Sequence, residues 1–221
     1  MTSFISRASL APEAVAAYSP PVARPPRPSL LYSSIAALSW PIARILFRYR
    51  AYGREHLPAS GGYVLAAGHV SNLDPWPLAL DLWPDRFVRF MAKSELFWFP
   101  LGPIIAACGA FRVHRGRADR EAIETAVRLA RDGYVIAMFP EGTRRRKGLR
   151  KKHTAQAHSG AARIAIEAGV PLVPAGIKGT NGLRRLEAWR VRYGDPIAVS
   201  DDPAETTERL MAAIHELEDS L

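Results

Sequence analysis

Short apolar runs alternate with amphipathic stretches along most of the chain. The apolar runs predict buried strands at residues 63–67, 87–91, 109–115, 134–139, 172–177, 190–194 and 197–199. Helical spacing of apolar residues, with helix start and stop signals, predicts helices at residues 75–82, 119–131, 158–168 and 203–218. Because strands that alternate with helices are typical of parallel sheets, we predict the α/β fold class, with a mostly parallel central sheet flanked by helices.

Two of the apolar stretches contain prolines. Pro174 falls within the strand at 172–177, and since proline cannot donate a ladder hydrogen bond, we expect that strand to be irregular or to lie at the edge of the sheet. Residues 96–105 are bulky and apolar, with two prolines, which predicts a short helix, a turn and another helix. We expect this segment to belong to the core, with the lining of an apolar channel as the alternative.

The stretch from 29 to 50 has its own pattern. Apolar residues recur every three or four positions, as in an amphipathic helix, at Leu31, Ile35, Leu38, Ile42, Ile45 and Tyr49. Pro41 predicts a kink or a division into two helices. The uncharged run before Arg44 is shorter than the roughly 20 residues that span a bilayer. We therefore predict a helix or hairpin in the membrane interface, with Trp40 and the following arginines near the headgroups; a helix that covers a soluble core is the alternative.

Residues 1–28 are rich in proline and alanine and have no periodic apolar pattern, which predicts a disordered tail. They lack the basic and apolar layout of a signal peptide. The predicted organisation is therefore a tail at 1–28, a membrane-associating helical segment at 29–50, and one α/β domain at 51–221.

The charge is strongly basic, with a net value of +9. Seven of the nine residues from Arg144 to Lys152 are basic, so this loop accounts for most of the excess. The loop fits a solvated surface, a nucleic-acid site or an anionic lipid surface. We favour lipid and expect no nucleic-acid partner, because no aromatic platform or nucleic-acid module accompanies the loop. Cys108 is the only cysteine, which excludes an intrachain disulfide and a cysteine zinc site.

Polar residues follow three of the predicted strands. His69 and Asp74 come after the first, Arg115 ends another, and Glu141 to Arg144 follow a third. In parallel sheets, sites gather at the carboxyl ends of the strands. Asp74 can reach one imidazole nitrogen of His69 and leave the other free to take a proton. The alternative is that Asp74 only caps a helix and His69 is an ordinary loop residue.

Four blocks occur together in the chain, from His69 to Asp74, Gly109 to Arg115, Phe139 to Arg144 and Val170 to Pro174. In order and spacing they resemble the four motifs of the 1-acylglycerol-3-phosphate O-acyltransferase (lysophosphatidic acid acyltransferase) family. The resemblance covers about residues 50–200, which makes 51–221 the acyltransferase domain.

The resemblance implies roles for individual residues. His69 would be the general base that deprotonates the glycerol hydroxyl, and Asp74 would orient His69. Arg115 and Arg144 would bind the acceptor phosphate, and Arg112 adds a further cation beside them.

The other motif positions would shape the substrate sites. Glu141, Gly142 and Thr143 would shape the acceptor site, and Pro174 lies in a block that resembles the acyl-side packing element of the family. Gly68 departs from the family pattern, which commonly has asparagine there.

The family also implies substrates and location. The co-substrate would be acyl-CoA or an acyl carrier protein thioester, with no cofactor and no metal. The acceptor would be lysophosphatidate, giving phosphatidate at the cytoplasmic face of the inner membrane. A lyso-ornithine lipid, another lysophospholipid or a glycolipid is the alternative acceptor, and a non-catalytic basic adaptor is the remote alternative.

Overall fold

A computed structural model describes residues 27–113, 119–141 and 158–221. The strands form one sheet and are β1 (Arg50–Tyr52), β2 (Tyr63–Ala67), β3 (Val88–Lys93), β4 (Ala110–Val113), β5 (Val135–Met138), β6 (Leu172–Lys178) and β7 (Arg190–Tyr193). The helices are α1 (Leu30–Ile45), α2 (Pro75–Leu82), α3 (Leu101–Ala107), α4 (Asp119–Arg131), α5 (Gly160–Ala168) and α6 (Pro203–Asp219). Shorter 3₁₀ helices lie at Arg54–His56, Ser94–Leu96 and Thr180–Arg185.

The strand order across the sheet is β1-β7-β6-β2-β5-β3-β4. The strands β6, β2, β5, β3 and β4 run parallel. Their carboxyl ends share one side, which we call the carboxyl edge. Strand β7 is antiparallel to β6 and parallel to β1, so both of these strands start at that edge. The predicted α/β class with a mostly parallel sheet is confirmed.

Alternate residues of the strands feed two core layers. Tyr63 and Leu65 of β2 join the layer that contains residues of α1 and α2. Val64 and Ala66 join the layer that contains residues of α4, α5 and α6. This alternation follows from the two-residue period of a strand, and the continuous apolar run of β2 is what a strand covered on both faces requires.

Two expectations about the strands were wrong, namely the edge position considered for the strand with Pro174 and the strand at 197–199. Strand β6, which contains Pro174, lies inside the sheet between β2 and β7 rather than at its edge. The sheet tolerates this proline because its backbone faces the end of β7. The carbonyl of Pro174 accepts a hydrogen bond from the Gly194 N–H at 3.0 Å. The N–H that proline lacks would point to the same place, where the β6–β7 ladder stops. The expected strand at 197–199 is only an isolated bridge from Ile197 to Leu172, because the chain meets β6 at that one residue.

Helix α1 is a single helix that contains Pro41 rather than two helices. It packs on the core through Tyr32, Ala36 and Ala43, which are buried. Most of the predicted apolar stripe lies on the other side and is exposed, with Leu38 and Ile45 each 74% accessible. The helix therefore covers the core and also presents an apolar face outward. Within the described ranges, no helix has the length and apolar character needed to cross a membrane.

The segment that leads into α3 is exposed, so the prediction that it belongs to the core was wrong. Leu96, Trp98, Phe99 and Ile104 are all exposed. The reason lies in the strand order: α3 packs beside β4, the last strand of the sheet, and no further described layer covers its outer side.

Candidate active site

The loop between β2 and α2 wraps around the carboxylate of Asp74, which has no solvent exposure. Asp74 Oδ2 accepts hydrogen bonds from His69 Nδ1 at 2.8 Å and from the backbone N–H groups of Val70 at 2.7 Å and Ser71 at 2.8 Å. Asp74 Oδ1 accepts the hydroxyl of Thr180 at 2.5 Å. Four donors on two oxygens suit an ionised carboxylate, which only accepts hydrogen bonds.

Asp74 precedes the first residue of α2, but its side chain makes no capping hydrogen bond to that helix. The carboxylate instead turns back toward the loop, so the reading of Asp74 as only a helix cap was wrong. Ser71 stabilises the turn, because its hydroxyl accepts a hydrogen bond from the backbone N–H of Leu73 at 3.2 Å.

The contact with Asp74 sets the tautomer of His69. A carboxylate oxygen can only accept, so in the neutral imidazole the proton lies on Nδ1 and the lone pair on Nε2. The ring also stacks on Phe139, with centroids 4.4 Å apart and an angle of 24° between the planes. The side chain of His69 is partly accessible, at 18%. The arrangement therefore presents an oriented nitrogen base at the carboxyl edge.

Thr180 reaches Asp74 from the end of β6, the strand beside β2. The turn that places it depends on Gly179, whose φ is +90° and whose hydrogen faces the carbonyl of Ala188. A Cβ at this glycine would lie 2.1 Å from the Ala188 oxygen, so only glycine fits the backbone approach.

Glu141 follows β5, the strand on the other side of β2, and is buried. Side chains from the ends of three adjacent strands thus occupy neighbouring positions on the carboxyl edge: His69 after β2, Glu141 after β5 and Thr180 after β6. This is where an α/β sheet of this kind builds its site. No group of His, Cys, Asp and Glu in the described part of the chain is arranged to hold a metal ion.

Comparison with known proteins identifies the family. The family model named Acyltransferase matches residues 48–178. The chain belongs to the acyltransferase family. It is accordingly an O-acyltransferase.

Two bacterial proteins similar to this acyltransferase share one name. It is 31% identical over 186 residues to the 1-acyl-sn-glycerol-3-phosphate acyltransferase of Bacillus subtilis, covering 78% of this chain and 89% of that protein. It is 34% identical to the enzyme of the same name from Streptococcus pneumoniae, over 63% of this chain and 51% of that protein. The crystal structure of the 1-acyl-sn-glycerophosphate acyltransferase from Thermotoga maritima superposes with a TM-score of 0.60 at 25% identity, covering 85% of this chain and 79% of that chain.

The enzyme's predicted site residues fall into three groups. His69, Asp74 and Glu141 lie together at the carboxyl edge, as described. Arg112 lies on β4, three strands away from β2, with its guanidinium over the ring of Phe97 at 4.8 Å. Four other predicted site residues fall outside the described residues, namely Arg115, Gly142, Thr143 and Arg144. The basic run from Arg144 to Lys152 also falls outside them.

Two residues of the acyltransferase site carry roles that the sequence did not reveal. The motif that begins at Phe139 does not indicate that its ring stacks on His69, and Thr180 lies outside the four motifs. The sequence does contain a signal for the turn that carries Thr180. A glycine and a hydroxyl residue directly follow the buried strand β6, which is typical of a loop that turns back over the end of a strand.

The enzyme has a second pairing of histidine with aspartate. His56 Nδ1 lies 2.6 Å from Asp195 Oδ1. His56 follows β1 and Asp195 follows β7, so this pair lies at the edge opposite to His69. The position makes His56 and Asp195 a natural control for substitutions at His69 and Asp74.

Proposed function

We propose that this acyltransferase moves a fatty acyl group from an acyl thioester to the sn-2 hydroxyl of lysophosphatidate and forms phosphatidate for phospholipid synthesis. The observation that carries the proposal is the His69–Asp74 contact, because it leaves an oriented imidazole nitrogen as a base. The names of the relatives support the choice of acceptor.

The chemistry needs one base and no acyl-enzyme intermediate. Nε2 of His69 takes the proton of the acceptor hydroxyl, whose oxygen attacks the thioester carbonyl. The tetrahedral intermediate then collapses, the C–S bond breaks, and the leaving thiolate takes the proton from His69. Asp74 is a positioning residue that holds the tautomer and stabilises the imidazolium. Neither Cys108 nor Ser71 is required as a nucleophile.

For the acceptor phosphate we propose arginine ligands. A phosphate monoester carries nearly two charges at neutral pH, and the guanidinium fork matches its oxygens. Arg115 and Arg144 are proposed as the direct ligands, and Arg112 as a further cation at the same edge. Glu141, Gly142 and Thr143 are proposed to shape the acceptor pocket.

We also propose that the enzyme binds the cytoplasmic face of the inner membrane, where its acceptor resides. The outward apolar face of α1 supports this, since exposed Leu38, Ile42 and Ile45 would enter the boundary between headgroups and acyl chains. The donor would be acyl-CoA or acyl carrier protein, and the chain itself would need no metal or cofactor.

The test is a thioester-consumption assay with lysophosphatidate in detergent micelles. His69→Ala should lower turnover by about 10²–10⁴-fold, the usual loss for a general base. Asp74→Asn should lower it as well, because an amide cannot accept all four donors. The matched controls, His56→Ala and Asp195→Asn, alter the opposite pair and should leave turnover near that of the wild type.

A wild-type rate in His69→Ala would reject the mechanism. Turnover with a lyso-ornithine lipid or a glycolipid, but not with lysophosphatidate, would reject the proposed acceptor and retain the chemistry. Vesicle binding without turnover on any acceptor would favour a non-catalytic adaptor.

A further inference from the structure

We propose that a basic and apolar surface beside the site binds the face of an anionic lipid bilayer. We call it the junction surface, and its members are exposed side chains from two connections, Leu46, Arg48, Leu183, Arg184, Arg185 and Leu186. The proposal rests on the membrane association proposed above, and it assigns lipid contact to residues other than the face of α1.

Both connections lie at the carboxyl edge. Residues 46–49 lead into β1, and residues 179–189 join β6 to β7. Because β1 and β7 run opposite to β6, they start where β6 ends. The junction surface therefore shares an edge of the sheet with His69 and Asp74.

Specific contacts hold the two connections together. The rings of Phe47 and Trp189 stack with centroids 4.2 Å apart. The backbone N–H of Trp189 donates a hydrogen bond to the Phe47 carbonyl at 2.9 Å. Arg48 Nη2 donates to the Leu186 carbonyl at 2.8 Å. The junction surface is thus one fixed feature rather than two separate loops.

Backbone strain coincides with this junction. Within the described chain, the non-glycine residues with positive φ are Arg48, at 44°, and Leu186, at 50°, and they are the two residues that the Arg48 hydrogen bond joins. A left-handed backbone is unfavourable for a residue with a Cβ, and such strain is concentrated at functional positions. Here the strained turn leaves Leu186 exposed rather than packed in the core.

The chemistry of the junction surface fits a lipid surface. Its three leucines are 43–49% exposed, and they lie among three exposed arginines. Guanidinium groups bind headgroup phosphates. Leucine side chains are stabilised when they enter the boundary between headgroups and acyl chains, because their apolar surface leaves water. A free phosphate or a nucleic acid would satisfy the arginines only. Glu187, the acid within this loop, is paired with Arg185 at 3.8 Å.

A row of cations extends the basic character across the sheet. Arg50 on β1 and Lys178 on β6 both lie directly opposite Arg190 on β7. Like charges opposite each other in a sheet repel, and an anionic surface relieves that repulsion.

The junction surface is linked to the site through one short segment. Thr180, which binds Asp74, begins the 3₁₀ helix that contains Leu183, Arg184 and Arg185. Docking of this helix on headgroups would hold the His69 base at a set depth, close to the hydroxyl of an acceptor embedded in the same bilayer.

The direct test places a polarity-sensitive fluorophore on Leu183→Cys in a Cys108→Ala background. Vesicles of phosphatidylcholine with phosphatidylglycerol should shift the emission to the blue, and vesicles of phosphatidylcholine alone should shift it less. Val199→Cys is the matched control, since Val199 is also exposed and apolar but lies near Ile197, at the opposite edge. Its label should not shift.

Paired variants test the energetics by vesicle sedimentation. R184Q/R185Q should weaken binding to the anionic vesicles by up to about 30-fold, at about fivefold per arginine. L183N/L186N should weaken binding to both kinds of vesicle, and asparagine tolerates the backbone at 186. The control R128Q/R163Q removes the same charge from exposed positions on α4 and α5 and should bind like the wild type.

The outcomes separate this proposal from the proposed function. Junction variants that turn over lysophosphatidate in micelles but fail to sediment with anionic vesicles support the junction surface. Unshifted Leu183→Cys emission, with wild-type sedimentation of both paired variants, overturns it. Loss of turnover with an acyl carrier protein donor, while vesicle binding is retained, would also overturn it and assign the surface to a protein. Absence of micellar turnover in the wild type would count against the proposed function alone.

Discussion

Thr180 Oγ1 lies 2.5 Å from Asp74 Oδ1, which joins two residues 106 positions apart in the sequence. The hydrogen bond crosses from the end of β6 to the start of α2, and both residues are buried. Asp74 is therefore oriented by two neighbouring strand ends, not only by its own loop.

Replacing Thr180 with valine should lower kcat with little change in KM, because Thr180 touches Asp74 rather than a substrate. Hydrogen bonds to charged groups contribute about 1.5–3 kcal/mol, which corresponds to roughly 10–100-fold in rate if the bond is needed for orientation. Steady-state kinetics would measure the split. Thr180→Ser keeps the hydroxyl and should restore kcat. Thr206→Val, at another buried threonine, is a control that should leave kcat unchanged, and an equal effect there would indicate general destabilisation.

Gly179→Ala should destabilise the fold and reduce turnover together. The new Cβ would lie 2.1 Å from the Ala188 oxygen at a φ of +90°, so the turn that carries Thr180 must shift. Gly169→Ala is the matched control, since Gly169 also has a positive φ, of +67°, but its Cβ would meet nothing within 4 Å. Gly169→Ala should cost only about 1 kcal/mol and retain kcat. Thermal unfolding and steady-state rates would distinguish the two variants.

Asp81→Asn should raise stability at neutral pH. Burial raises the pKa of the Asp81 carboxyl above its ordinary value of 3.8, although the Arg54 guanidinium, 3.7 Å away, opposes the shift. A pKa raised in the folded state favours the protonated form, so the contribution of Asp81 to stability is present below pH 3.8 and is lost as the pH rises through the folded pKa. Unfolding midpoints above pH 4 should therefore depend less on pH in Asp81→Asn. The exposed Asp85→Asn should show the wild-type dependence.

Leu38→Gln combined with Ile45→Gln should weaken membrane binding without lowering stability. Both side chains are 74% exposed, and exposed substitutions usually change the free energy of unfolding by less than about 0.5 kcal/mol. Ala43→Gln on the buried side of α1 should instead destabilise the fold by about 1–3 kcal/mol through overpacking. Vesicle sedimentation and thermal unfolding would separate the two faces. Unchanged sedimentation of the exposed double variant would exclude this face as a lipid contact.

The sequence predicted the strands and helices that depend on the apolar pattern of a short stretch. The apolar run at Tyr63–Ala67 and the amphipathic stretch at Asp119–Arg131 are the observed β2 and α4 without adjustment. His69 and Asp74 could be paired from the sequence because five residues in a tight turn bring them together.

Features that depend on strand order could not be predicted in this way. Pro174 predicts an irregular or an edge strand, but the strand that holds it is interior, because β7 ends beside this proline. The apolar character of the residues around Trp98 predicts that they belong to the core, but they are exposed because β4 is the last strand of the sheet. The contact of Thr180 with Asp74 could not be predicted, because Gly179 and Thr180 indicate a turn after β6 but not which residue the turn reaches.

The way in which the loop holds Asp74 determines which residues of the loop can be substituted. Two of the four donors to this carboxylate are main-chain amides, of Val70 and Ser71, and any residue except proline supplies an amide. The side chain at position 70 can therefore change while the hydrogen bonds from the loop to the Asp74 carboxylate remain. Divergent members that keep only the histidine, the aspartate and a hydroxyl after the neighbouring strand would still aim the same nitrogen.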